Sequence, residues 1–340
     1  MSSGRTATGV LRLGVPFITD RAVDRVFAVL AGWLMTGVFL DAWAHISGLP
    51  DSFWTPWHGV LYSGLLACGA SLVLARAAER TAGRPILSAG YEWSLVGVAV
   101  AAIGGMADAV WHTVFGIEFD IEAAVSPSHL MVAGGIFLVV TGPARAAWTK
   151  RAFGLPAALS LLYGLSILAV ILDYADPFTR VFGARPGAPT HALLQIEQSS
   201  ALFAFLLYAV LVSGVIQITL ARVAVAPAYI GLVLGGNALA MVLVNSPLLG
   251  AHAAAFVAVA LVSGVLAGVA AAWLHPSPAR PAEFRAFAFL VPTLLYVVYA
   301  VSVIIGPGTS WSPTFWSGLI VSGGLAGLLL STLVLIRPRG

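Results

Sequence analysis

Two short stretches carry the chemistry of this 340-residue chain. Asp41-Ala-Trp-Ala-His45 and Asp108-Ala-Val-Trp-His112 each set a carboxylate four residues ahead of an imidazole. A second histidine follows each pair behind a proline, in Pro56-Trp57-His58 and Pro127-Ser128-His129. Residues four apart share a helix face, so each Asp–His pair points one way. A short loop then returns the chain and brings the third group in from the next helix. One carboxylate and two imidazoles suffice to hold zinc or a transition metal, with positions left for water, oxygen or substrate. The competing reading is a structural Asp–His hydrogen bond near a helix end. A carboxylate at a membrane helix centre costs about 2.5–3.5 kcal/mol on insertion scales, and its recurrence with histidine at one offset favours ligands over structural pairs.

A third, partial version follows. His191 ends Pro189-Thr190-His191, but Pro177 stands four residues after Asp173 where a histidine would be expected, and Glu197 lies further along the next apolar run. His191, Glu197 and Asp173 are therefore additional candidate ligands, with Glu197 also a candidate for a proton path. Glu118, Asp120 and Glu122 make one outer loop acidic, which reads either as a cation funnel or as a solvated loop. His252 and His275 read as packing and interfacial residues. Cys68 is the single cysteine, which excludes intramolecular disulfides and cysteine-cluster metal sites.

The elements that must position these groups are membrane helices. The chain is 59% hydrophobic and 9% charged, with a mean hydropathy of +0.96, against roughly a quarter charged in soluble domains. A span needs about 20 apolar residues. Ten runs qualify, at roughly 25–46, 57–76, 93–115, 127–148, 152–174, 192–221, 226–246, 251–273, 285–306 and 314–336. Their continuity lacks the alternation of barrel strands. With residues 1–24 as a cytoplasmic leader, all 17 Lys and Arg except Arg180 and Arg185 fall on inside segments. The positive-inside rule then puts both termini in the cytoplasm and the ligand loops outside.

The return helices open on a recurring element ending at His58, His129, His191 and Phe315, with His252 as a drifted version. This spacing predicts an all-α polytopic bundle, one integral membrane domain over 1–340. It is built as five two-helix hairpin repeats at about 25–80, 90–150, 152–222, 226–275 and 285–337.

Asp108-x3-His112 followed by Ser126-Pro127-Ser128-His129, and Asp41-x3-His45 with His58, resemble the membrane-embedded metal-binding signature of the C subunit of particulate methane and ammonia monooxygenases. The resemblance implies copper and the oxidation of a small, poorly reactive molecule. The donor set alone suits iron and zinc as well. The expected function is a metal-dependent oxidoreductase of monooxygenase type in the cytoplasmic membrane of a prokaryote. Its expected partners are the bilayer, a small-molecule substrate and other subunits or copies of the chain, not nucleic acid. Alternatives are a transition-metal transporter or sensor, whose ligands would continue through the membrane depth, and a haem-binding electron carrier. Lys150 is the only lysine and lies in a loop, so a buried Schiff base is excluded.

Overall fold

The computed structural model describes residues 20–50, 52–116, 124–172, 176–184 and 190–336, and the chain there is all-α. Ten helices follow one another: α1 (Asp20–Ile46), α2 (Pro56–Ala82), α3 (Glu92–Phe115), α4 (Pro127–Lys150), α5 (Leu155–Ile171), α6 (His191–Arg222), α7 (Pro227–Val244), α8 (Ala253–Leu274), α9 (Pro281–Ile305) and α10 (Pro313–Val334). Among the described residues nine are long and apolar enough to cross a membrane. α5, 17 residues long, is the short one. At about 1.5 Å per residue it spans roughly 25 Å, less than a bilayer core of about 30 Å. Most of its residues are buried, because it is packed by α1, α4 and α7 and sits among protein rather than lipid.

Helix starts follow from local sequence. Proline occupies the first turn of α2, α4, α7, α9 and α10, where its missing N–H is no loss and its φ is already helical. Ser126, Thr190 and Ser312 cap α4, α6 and α10 by accepting the backbone N–H three residues on, from His129, Leu193 and Phe315. Thr55 stands in the same place before α2 without making that bond. α4 is interrupted at Thr141, where its hydroxyl turns back to the Phe137 carbonyl.

Cross-helix bonds fix which helix ends lie together. Asp24 of α1 accepts from Tyr91 Oη (2.8 Å), just before α3, and from Lys150 Nζ (2.9 Å), at the end of α4. Arg222 at the end of α6 lies 5.0 Å over the Trp148 ring, and Phe153 meets Tyr229 of α7. These contacts define one basic end of the bundle. The end of α1, the start of α2, the end of α3 and the start of α4 lie at the other.

Two apolar cores result. One is built by α1–α4 around Phe27, Leu34, Leu61, Leu72 and Val139, and the other by α5–α10 around Phe205, Tyr208, Phe256, Tyr296 and Tyr299. Four of the five expected hairpins pack as antiparallel pairs: α1 with α2, α3 with α4, α7 with α8, α9 with α10. The third departs from the expectation. α5 and α6 touch sparsely, and α6 packs on α10 instead. Segment 176–184 after α5 runs into the second core, burying Phe178 and Phe182 against Phe205, Tyr208 and Tyr299.

Candidate metal centres

Both Asp/His/His trios assemble, one in each of the first two hairpins. Within each, one ligand atom per residue lies within 4.8 Å of the other two. Asp41 and His45 close α1 and Asp108 and His112 close α3, one helical turn apart on one face as their spacing requires. His58 and His129 stand at the third residue of α2 and α4. All six side chains are partly buried, with exposures between 14% for His58 and 33% for His45.

What brings the third ligand close is a glycine one turn below each aspartate. A side-chain carbon at Gly37 would overlap the Leu61 backbone of α2, and one at Gly104 would sit 2.8 Å from Val132 N of α4. Each contact falls three residues after the histidine of the returning helix. The helices therefore approach at backbone distance within a turn of the site, as small residues allow in membrane bundles. Gly-x3-Asp-x3-His is thus the fuller pattern in both hairpins, legible in the sequence.

The distances suit a ligand set as well as an ion pair. His58 Nε2 and His45 Nε2 lie 3.0 and 3.6 Å from Asp41 Oδ1. His112 Nε2 lies 3.3 Å from Asp108 Oδ2, and His129 Nε2 lies 3.5 Å from Asp108 Oδ1. A charge-assisted N–H···O bond runs about 2.7–2.9 Å, shorter than all four. Donors about 2.1 Å from a tetrahedral metal lie about 3.4 Å from one another, in the middle of the observed set.

Hydrogen bonding on the far side of each ring points the same way. His58 Nδ1 faces the Ser52 carbonyl at 2.9 Å and His112 Nδ1 faces the Gly116 carbonyl at 3.1 Å. A carbonyl only accepts, so each Nδ1 carries a proton, and in the neutral ring Nε2 presents its lone pair toward the carboxylate. Asp41 Oδ1 is buried and accepts no hydrogen bond although His58 Nε2 is its close neighbour. Two facing lone pairs repel unless a cation lies between them, whether a proton or a metal ion. A ligating histidine that donates its other N–H to a carbonyl is the usual outer shell of a metal site.

The two centres differ in that outer shell. Ser128 Oγ donates to Asp108 Oδ1 at 2.8 Å, and Ser126 Oγ lies 2.7 Å from His129 Nδ1. In the first centre the place of Ser128 is taken by Trp57, and His58 instead stacks on Tyr62 with ring centroids 5.6 Å apart. None of these supporting groups was picked out from the sequence as such. Ser126 and Ser128 were part of the quoted motif, but a hydroxyl's partner depends on the helix–helix distance.

The remaining candidates go elsewhere. Asp173 lies outside the described residues, as do Glu118, Asp120 and Glu122 of the acidic loop. His191 is exposed at the first position of α6, two places earlier than His58 and His129 in their helices. Leu193 occupies the equivalent third position. The sequence alignment on Pro-x-His thus differs from the capping register, because Thr190 is the cap and His191 the first residue of α6. Glu197 accepts the Gly183 N–H at 3.1 Å and ties segment 176–184 to α6. Neither His191 nor Glu197 joins a group of three possible ligands among the described residues.

Fold and site together define a polytopic helical membrane protein with two Asp/His/His groups able to hold metal ions. No family model, curated protein or solved structure matches the chain.

Proposed function

We propose that the protein is a membrane-embedded metalloprotein holding two transition-metal ions, one on Asp41, His45 and His58 and one on Asp108, His112 and His129. The observation that carries this is that all four Nε2 atoms lie 3.0–3.6 Å from a carboxylate oxygen, with the Nδ1 atoms of His58 and His112 held by backbone carbonyls. Three protein ligands leave coordination positions open, the arrangement of catalytic rather than closed structural sites. The reading we favour is an oxidoreductase of monooxygenase type acting on a small molecule, with copper preferred over iron or zinc on the resemblance described above. A bound metal of this kind supplies Lewis-acid and redox chemistry. The chain's own part is to fix the donors, set the histidine tautomers and keep the sites at the end of the bundle away from most of its basic residues, which supports an outward-facing location.

A transporter reading is less well supported. A transit path calls for ligands at several depths, and among the described residues no third group of possible ligands lies in the bundle.

The test is metal analysis of protein purified from copper- and iron-supplemented cells. Two equivalents of one transition metal are expected, one after His58→Ala or His129→Ala, and none in the double variant. Metal content indifferent to both substitutions would overturn the assignment. Oxygen consumption with small alkanes or amines then separates an oxidase from a binding protein.

A further inference from the structure

At the basic end, opposite the trios, a cavity of about 630 Å³ opens beside the end of α4. Its walls include Trp93, Arg145, Trp148, Arg151 and Arg222. None of the three guanidinium groups makes a salt bridge among the described residues, although the Glu92 carboxylate on the same wall acts electrostatically on Arg145. Arg145 donates to the Gly90 and Leu138 carbonyls (both 2.8 Å), to Ser94 Oγ (2.9 Å) and to Thr141 Oγ1, all neutral acceptors. Arg222 donates to Ile218 O of its own helix at 3.2 Å and lies over Trp148. Arg151 ends α4 in the left-handed conformation, φ 52°. Glu92, the acid on the wall, is turned to Arg76 at 3.4 Å.

Clustered cations at the edge of a low-dielectric bundle repel one another and lose hydration, a cost that an anion in their midst offsets. Tryptophan flanks are characteristic of headgroup depth. The chain does not supply the anion from its leader, since residues 1–19 contain Arg5 and Arg12 and no acidic residue. On the other flank of α4 a second crevice adds Arg21, Arg25 and Lys150, the last already paired with Asp24. Basic side chains thus outnumber acidic ones on both walls.

We infer that this cavity is a binding site for the phosphate of an anionic phospholipid. Arg145 and Arg222 form its floor, Arg151 closes over the headgroup, and Trp93 and Trp148 bracket the glycerol region. Arg145 is fixed by its four bonds before any ligand arrives, so little side-chain entropy is lost on binding. The site is independent of the metal centres and stands whether or not they bind metal.

The experiment is native mass spectrometry of the full chain from mixed micelles holding equal phosphatidylglycerol and phosphatidylcholine. One retained phosphatidylglycerol per chain is expected, in clear excess over phosphatidylcholine. Arg151→Gln and Arg222→Gln, at the cavity rim, should each weaken retention about five-fold, the equivalent of roughly 1 kcal/mol per basic residue at an anionic surface. Arg280→Gln, a basic residue paired with Glu283 outside the cavity, should leave it unchanged. Thermal unfolding confirms that each variant is folded. Inorganic phosphate at tens of millimolar is the competitor arm, and retention that survives it assigns the site to the lipid. Equal retention of both lipids, displacement by phosphate alone, or indifference to both rim variants would overturn the proposal.

Discussion

Ser128 Oγ donates a 2.8 Å hydrogen bond to Asp108 Oδ1, joining the first turn of α4 to the last turns of α3. The bond holds the carboxylate at a fixed rotation between His112 and His129. The first centre has no counterpart, since Trp57 stands there. Ser128→Ala should therefore lower metal affinity at the second centre by about 10–100-fold, the usual effect of losing an outer-shell partner, and leave the first untouched. Chelator competition on purified protein would show it as one weakened site out of two.

Gly37 and Gly104 set the helix spacing at the two centres. Gly37→Val or Gly104→Val should force the hairpin apart and abolish metal binding at that centre alone, with a stability cost of about 1–3 kcal/mol typical of overpacking. Gly105, where an added methyl meets nothing within 4 Å, is the control: Gly105→Ala should bind two metals with unchanged affinity. Equal loss in both would remove the packing argument.

Metal retention should fall on acidification. The histidines bind metal only as neutral imidazoles, so each centre competes for up to two protons. With two protons exchanged per metal ion, affinity should drop by up to about a hundredfold per pH unit. Chelator titrations across pH 5 to 8 would reveal the slope, and a flat profile would point to ligands other than these histidines.

In the second core, Tyr208 Oη donates to Asn237 Oδ1 at 2.8 Å and Asn237 Nδ2 donates to Ser166 Oγ at 3.1 Å, linking α6, α7 and α5. All three residues are buried. Asn237→Ala should cost about 1–3 kcal/mol by stranding two hydroxyls, seen as earlier thermal unfolding in detergent with metal content unchanged.

Much of this architecture was legible before any coordinates. The apolar runs at 93–115 and 127–148 became Glu92–Phe115 and Pro127–Lys150, because an uninterrupted apolar stretch bounded by proline and charge permits little else in lipid. Both trios were legible because i,i+4 spacing is a geometric certainty on a helix. The run at 152–174 came out shorter, as Leu155–Ile171, and its expected partner α6 packs elsewhere. Apolar periodicity fixes that a helix forms, not which neighbour it chooses. The hydrogen bonds that the Ser52 and Gly116 carbonyls accept, and the one that Ser128 donates, were invisible for a related reason, since they depend on loop paths and helix separations. Asp173 and the acidic loop lie outside the described residues.

The capping residues of α2 and α4 have a further role. Thr55 and Ser126 set the zero of rotation for the helix that follows, and each added residue turns the next side chain by about 100°. Three places on, an imidazole meets the aspartate of the preceding helix. One place on, as at His191, the same imidazole points about 200° away and reaches open surroundings. In these hairpins the azimuth of a ligand is decided by where the helix begins, so a one-residue insertion between cap and histidine should disable a centre as completely as removing the histidine itself.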